Sequence, residues 1–345
     1  MNAPTLPTRS NPMQTFLWLL KREYWEQRGG FFRAPLIAGG VMVAILLLSM
    51  IVAETTAVRH GINIGNLNLD RISTSMTHEQ IATFNSGLNA GLMGMSIPIM
   101  ATQFFVVFFY LLGALYDDRR DRSVLFWKSL PISDLDTVLS KAVSATLMAP
   151  ALAIAALIAM HIAVLILLSV YAGIHGVNPL PLLWNPAPLL SMWIKLVCLI
   201  PVNALWALPT IGWLLLCSAF ARSKPFLWAV AVPLGLGTIF AFTDLLRQLS
   251  IPSSWYWKNI VGRILFGIVP GGWLGVGGNG TLRAITGGNG NDIELDKFDI
   301  VNSVLSWGHI FDALGSPELW LGAAAGIGFI AAAVYFRRKR TEAYS

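Results

Sequence analysis

AVSATLMAPALAIAALIAMHIAVLILLSV, residues 142–170, runs for 29 positions without an Asp, Glu, Lys or Arg. A helix rises about 1.5 Å per residue and a bilayer's hydrocarbon core is about 30 Å thick, so about 20 apolar residues cross it. This stretch is a membrane span with length to spare. Pro150 near its start is no obstacle, because helices in lipid tolerate proline more readily than soluble ones. Five further blocks on either side are also predominantly apolar: roughly 35–53, 93–116, 193–219, 226–243 and 317–336. The composition agrees, at 55% hydrophobic and 12% charged residues, where soluble domains carry about a quarter charged. The expected fold is an all-α polytopic membrane protein, one transmembrane domain over 1–345 with six transmembrane helices.

Basic residues set the orientation. With the N-terminus inside, the cytoplasmic parts are 1–34, 117–141, 220–225 and 337–345. They hold Arg9, Lys21, Arg22, Arg28, Arg33, Arg119, Arg120, Arg122, Lys128, Lys141, Arg222, Lys224 and the RRKR run 337–340, 16 of the 24 Lys and Arg. Lys and Arg gather on the cytoplasmic side of membrane proteins, so the chain reads N-in and C-in. The net charge of +6 could also suit nucleic acid. A nucleic-acid binder, however, collects its charge on a soluble surface, whereas here it lies in short tracts beside apolar blocks. Lipid, not nucleic acid, is the expected partner. The two cysteines, Cys198 and Cys217, share one apolar block. In a helix they stand roughly 28 Å apart, too far to bond to each other.

Between the spans the chain carries local signals. MNAPTLPTRSNPMQTF at the start lacks the basic-then-apolar order of a cleavable signal peptide and reads as a cytoplasmic lead. QTFLWLLKREYWEQR, 14–28, is amphipathic and aromatic-rich, which suits a helix lying at the membrane interface. In the external loop 54–92, Thr77 followed by Gln80 forms a capping box that would open a short helix. IVGRILFGIVPGGWLGVGG, 260–278, has the length of a span but contains Arg263, Pro270 and many glycines. A seventh span there would put the RRKR tail outside. The segment therefore reads as a re-entrant or surface-lying element within the external region 244–316, its irregular backbone shielded by protein.

Catalytic patterns are missing: there is no HExxH, no GxSxG and no GxxxxGK[ST] phosphate loop. No catalytic residue, metal ligand or cofactor is expected in this chain. VGGNG, 276–280, has no lysine after it. GGNGND, 287–292, matches a single unit of a calcium-binding repeat that works only in stacks, so a plain loop is the expected reading. His161 stands alone at mid-span without an acidic partner and reads as a packing hydrogen-bonder. Ser96, Gln103 and Tyr110 recur every seven residues, as do Asn203 and Thr210. Each set shares a helix face. They line a translocation path or bind helices together, and packing is the favoured alternative.

YDDRRDRSVLFWKSLPISD, 116–134, separates two spans with dense, nearly balanced charge: Asp117, Asp118 and Asp121 against Arg119, Arg120, Arg122 and Lys128. Val124 with Trp127 and Phe126 with Leu130 lie at helical spacing. Pro131 stops such a helix, and Ser133 with Asp136 caps the next one. A solvated loop explains neither the Phe-Trp pair nor the acids. A docking helix for another protein explains both.

At this point the chain resembles the ABC-2-type transporter permeases, in which a charged stretch leads into a run such as SVLFWKSLPIS before the third membrane helix. LLKREYWEQR, 19–28, resembles that family's interfacial helix, and the six-span layout agrees. The resemblance implies a pair of permeases, identical or related, in a bacterial inner membrane. It also implies separate ATP-binding cassette ATPases holding ATP and Mg, and usually export. Coupling to those ATPases would fall to Asp117, Asp118, Arg119, Arg120, Asp121, Arg122, Val124, Phe126, Trp127, Lys128 and Leu130. Arg22 and Glu23 would add ATPase contacts, and 260–278 would help close the path from outside. A non-transporting membrane anchor is the main alternative. An intramembrane enzyme or an ion-coupled transporter would need membrane-embedded acids, metal ligands or repeats that the sequence lacks.

Overall fold

The computed structural model describes residues 12–60, 76–121, 132–184, 186–242, 253–275 and 306–342. Among them there is no strand. The longer helices are α1 (Pro12–Arg28), α2 (Ala34–Arg59), α3 (His78–Met95), α4 (Ile97–Gly113), α5 (Asp134–Val143), α6 (Ala149–Ile174), α7 (Pro186–Phe220), α8 (Pro225–Phe242), α9 (Trp307–Gly315) and α10 (Pro317–Glu342). Six helical runs are long and apolar enough to cross a membrane: Pro12–Arg59, His78–Arg120, Asp134–Ile174, Leu189–Phe220, Pro225–Phe242 and Pro317–Lys339. Each contains one expected span. On α2, Ile37, Val41, Ile45 and Leu48 are exposed at helical spacing, an outward apolar stripe suited to lipid.

Two spans differ from expectation in how they begin. The amphipathic α1 is not a detached helix but runs into α2 through a π-helical turn, Gly29–Arg33. A second π turn, Ser144–Met148, joins α5 to α6. Each turn ends just before a proline near the start of the next helix, Pro35 or Pro150. A proline ring clashes with the carbonyl four residues back and offers it no N–H, and a widened turn absorbs that mismatch without ending the helix. The predicted cap on α3 is present in full: Gln80 N donates to Thr77 Oγ1 (3.3 Å) and Thr77 N to Gln80 Oε1 (2.9 Å).

The central helix is α7, whose Ile211, Leu214 and Leu215 are fully buried. It packs on α10 closely enough for backbones to touch. A Cβ on Gly326 would fall on the carbonyl of Leu208, and one on Gly212 would fall on Gly326 O. Small residues at such crossings are how helices associate in lipid, where apolar burial supplies little drive.

α8 carries Pro233 in its interior, which cannot donate to Ala229 O. The indole of Trp213 on α7 donates to that oxygen instead (3.0 Å). Trp213→Phe therefore orphans a carbonyl in an apolar setting and is expected to lower stability by about 1–3 kcal/mol. Unfolding of the variant in mixed detergent and SDS micelles measures the loss. Adding Pro233→Ala restores a backbone donor and should recover most of it. A loss that is the same with and without Pro233 would mean that Trp213 acts only by filling space.

Candidate functional site

One end of the bundle holds a buried chain of alternating charges. Glu23, on the inner face of α1, is only 1% exposed. Its Oε2 accepts from Tyr110 Oη of α4 (2.6 Å), and its Oε1 pairs with Lys141 Nζ of α5 (3.2 Å). Lys141 reaches on to Asp118 Oδ2 at 3.8 Å, and Arg337 of α10 reaches the same oxygen at 3.6 Å. Arg337 Nε donates to Asp134 Oδ1 (2.9 Å), which closes the set at the start of α5. Asp134 and Lys141 are seven residues apart and so share a face of that helix. Its start is fixed by Ser133, whose Oγ accepts from Asp136 N (3.0 Å), one half of the expected capping box, and donates to Asp136 Oδ2 (2.7 Å).

The beginning of the charged segment is tied to this set and to α7. Tyr116–Arg120 forms a short helix. Arg119 donates through Nη2 to Ser218 O (2.5 Å) and Ala221 O (3.1 Å), placing a cation on the carbonyl end of α7, where the helix dipole favours it. Ser218 Oγ in turn accepts from the amides of Leu115 and Tyr116 (3.0 Å each). Asp118 and Arg119 thus face inward. Asp117, Arg120 and Asp121 are exposed, with Arg120 pairing to both acids (3.4 and 3.0 Å); such surface pairs add little stability. Arg122, Val124, Phe126, Trp127, Lys128 and Leu130 lie outside the described residues, as does GGNGND. Arg22 is bound to Glu26 (2.7 Å), while its neighbour Glu23 faces the bundle interior and not a surface that a partner could reach.

The two polar stripes divide by role. Ser96 Oγ lies 2.9 Å from His161 Nε2, and His161 Nδ1 accepts from the indole of Trp193 (3.2 Å). The ring is thus the Nε2–H tautomer, with Nε2 also 3.0 Å from Leu92 O. Tyr110 holds Glu23. Thr210 Oγ1 donates to Arg263 O (2.5 Å), and Asn203 Oδ1 accepts from Trp273 Nε1 (2.8 Å) and Gly271 N (3.3 Å). Four of the five therefore bind elements together. Gln103 differs: it is 3% exposed, and neither its amide oxygen nor its nitrogen has a hydrogen-bond partner among the described residues. It lines a cavity of about 180 Å³ between α4, α6 and α7, closed on one side by Ile268, Pro270, Gly271 and Trp273.

Those last residues belong to 253–275, which folds against the bundle. Arg263 sits with its guanidinium 4.0 Å from the Trp206 ring, and donates to Glu318 O (2.5 Å) and Leu319 O (3.2 Å) at the start of α10. The lack of a side chain at Gly322 makes room for it. Phe266 stacks on Phe104 of α4.

Sequence reading missed Lys141, Asp134 and Arg337 as site residues and counted them only as cytoplasmic charge or a helix start. The seven-residue interval between Asp134 and Lys141 was an available sign. So was Gly322-x-x-x-Gly326, a small-residue spacing that marks a close helix crossing. Among the described residues no group of three His, Cys, Asp or Glu side chains could hold a metal. No family model, curated protein or solved structure matches the chain.

Proposed function

We propose that the chain is the permease subunit of an ABC-2-type transporter, pairing with a second permease copy and with separate ATPase subunits that hold ATP and Mg. Residues 117–130 form the coupling segment on the cytoplasmic side, 260–278 is the re-entrant element on the external side, and transport runs outward. The observation that carries this reading is the position of Asp118. It lies at the root of the coupling segment, and Lys141 of the third span and Arg337 of the sixth converge on one of its oxygens. Both separations exceed hydrogen-bond length, while Glu23–Tyr110 and Arg337–Asp134 on either side are tight. A push on the segment moves a carboxylate held between two spans, and the tight joints pass that movement to α1 and α10. Nucleotide then has a physical means of stabilising one arrangement of the spans over another.

Co-purification from native membranes, with ATPase activity assayed, tests the reading. Wild type should bring down a nucleotide-binding subunit. Phe126→Ala with Trp127→Ala removes two aromatic anchors, which at interface centres cost about 2 kcal/mol or more each. The double variant should therefore lose roughly 700-fold in partner affinity if the two contributions add, and at least about 30-fold if only one anchor is central. If no ATPase accompanies the wild type under mild extraction, the permease reading fails and the membrane-anchor and intramembrane-enzyme readings return.

A further inference from the structure

The cavity beside Gln103 has features that packing does not require. No charged side chain among the described residues lines it; its walls are mostly aliphatic and thioether groups with Trp273 at one side, and its polar side chains are Gln103, Asn203 and Thr146, whose hydroxyl is spent on Ala142 O (2.9 Å). At about 180 Å³ it exceeds the roughly 150 Å³ apolar cavity that suffices to bind benzene. Met93 and Met100 lie in its wall, and methionine re-packs around guests of differing outline more readily than branched residues do. An amide nine-tenths buried with neither atom bonded is costly, and buried polar groups are normally satisfied. Gln103 offers one donor and one acceptor side by side, which together match a group that both gives and receives a hydrogen bond. Asn203 is fixed by its oxygen to Gly271 and Trp273, so the wall opposite α4 is polar at one point and tied to the 253–275 element.

From this we infer that the cavity binds a small uncharged amphiphile: a benzene-sized hydrocarbon body bearing one hydroxyl or amide group, which the Gln103 amide holds. Charged molecules are excluded, because an ion in this lining would have no counter-charge. A guest seated there touches α4, α6, α7 and the 253–275 wall together, so its presence bears on how those elements sit. That such molecules are the cargo rests on the permease reading; that they bind does not.

The test uses the full chain with its co-purified partners in lipid nanodiscs. The probe is a benzyl alcohol bearing a photoactivatable diazirine, with labelled peptides located by mass spectrometry. Labelling should concentrate on the α4, α6 and α7 segments around Met100, Ala153 and Leu199. Benzyl alcohol should suppress it at about one-tenth the concentration that toluene needs, a gap equivalent to one hydrogen bond, and benzoate should not suppress it. Gln103→Leu should keep the labelling but bring benzyl alcohol and toluene to parity, and Ala153→Leu, which fills the space, should cut labelling severalfold. Labelling spread evenly over lipid-facing peptides would overturn the site. So would a Gln103→Leu variant that keeps the tenfold preference. ATPase activity is measured on the same samples. Site-specific labelling without any ATPase leaves the binding site standing and removes the permease reading, while ATPase activity without site-specific labelling does the reverse.

Discussion

Lys141→Met is expected to lower the stability of the folded chain by about 3–5 kcal/mol, the usual cost of removing one partner from a buried ion pair. Lys141 is 3% exposed and Glu23 1%. With the ammonium gone, the hydrogen bond that Glu23 keeps among the described residues is that from the Tyr110 hydroxyl, a neutral partner for a full negative charge, and Arg337 stays 3.6 Å from Asp118. Methionine matches the length of the lysine stem, so the loss reports charge and not a cavity. The measurement is unfolding in mixed detergent and SDS micelles. The decisive comparison is with Lys141→Met plus Glu23→Gln, which removes both charges while Tyr110 can still bond to the amide. The double variant should be more stable than Lys141→Met alone, a coupling of the kind contacting groups show. Should Lys141→Met cost under about 1 kcal/mol, the network is not a rigid joint. The mechanical reading of Asp118 would then fail with it.

How far the sequence could be read follows from the range of each interaction. Spans were legible because lipid imposes one requirement, a long uncharged helix, on every crossing residue by residue. The caps at Thr77–Gln80 and Ser133–Asp136 were legible because their partners lie three positions apart. Even the seven-residue stripe was sound as geometry: Ser96, Gln103 and Tyr110 are all buried. What the stripe could not show was its partners, which are His161, a cavity and Glu23. The ion network was illegible for the same reason. Arg337 and Asp134 are 203 positions apart, and periodicity carries no information about which helices become neighbours. The joining of α1 to α2 was missed differently. A short polar-faced helix and a long apolar one read as separate elements, and nothing in their amphipathicity signals that a π turn carries hydrogen bonding across Gly29–Arg33.

Gly326→Ala should destabilise the bundle by about 3 kcal/mol, at the upper end of overpacking, while Gly328→Ala should be neutral or stabilise by up to about 1 kcal/mol. Both glycines lie on α10, and alanine is the better helix former at either position by about 1 kcal/mol. Propensity alone therefore predicts the same sign for both. The surroundings reverse it at one of them. A methyl on Gly328 meets nothing within 4 Å, whereas one on Gly326 meets the Leu208 carbonyl carbon and oxygen, with Leu208 Cβ at 2.7 Å. Carbon atoms prefer roughly 3.5–4.0 Å, so α7 and α10 would have to part by about 1 Å. A backbone carbonyl in mid-helix cannot rotate aside as a side chain would. That separation would propagate along α10 in both directions, toward Gly322 under the Arg263 guanidinium and toward Arg337 beside Asp134. Gly326→Ala should for that reason also loosen the ion network a dozen residues away. Amide hydrogen exchange read at α5 and at the end of α10 would report it as faster opening, with Gly328→Ala unchanged. If the two alanine variants shift stability in the same direction by the same amount, the backbone contact between α7 and α10 is not what holds these helices together.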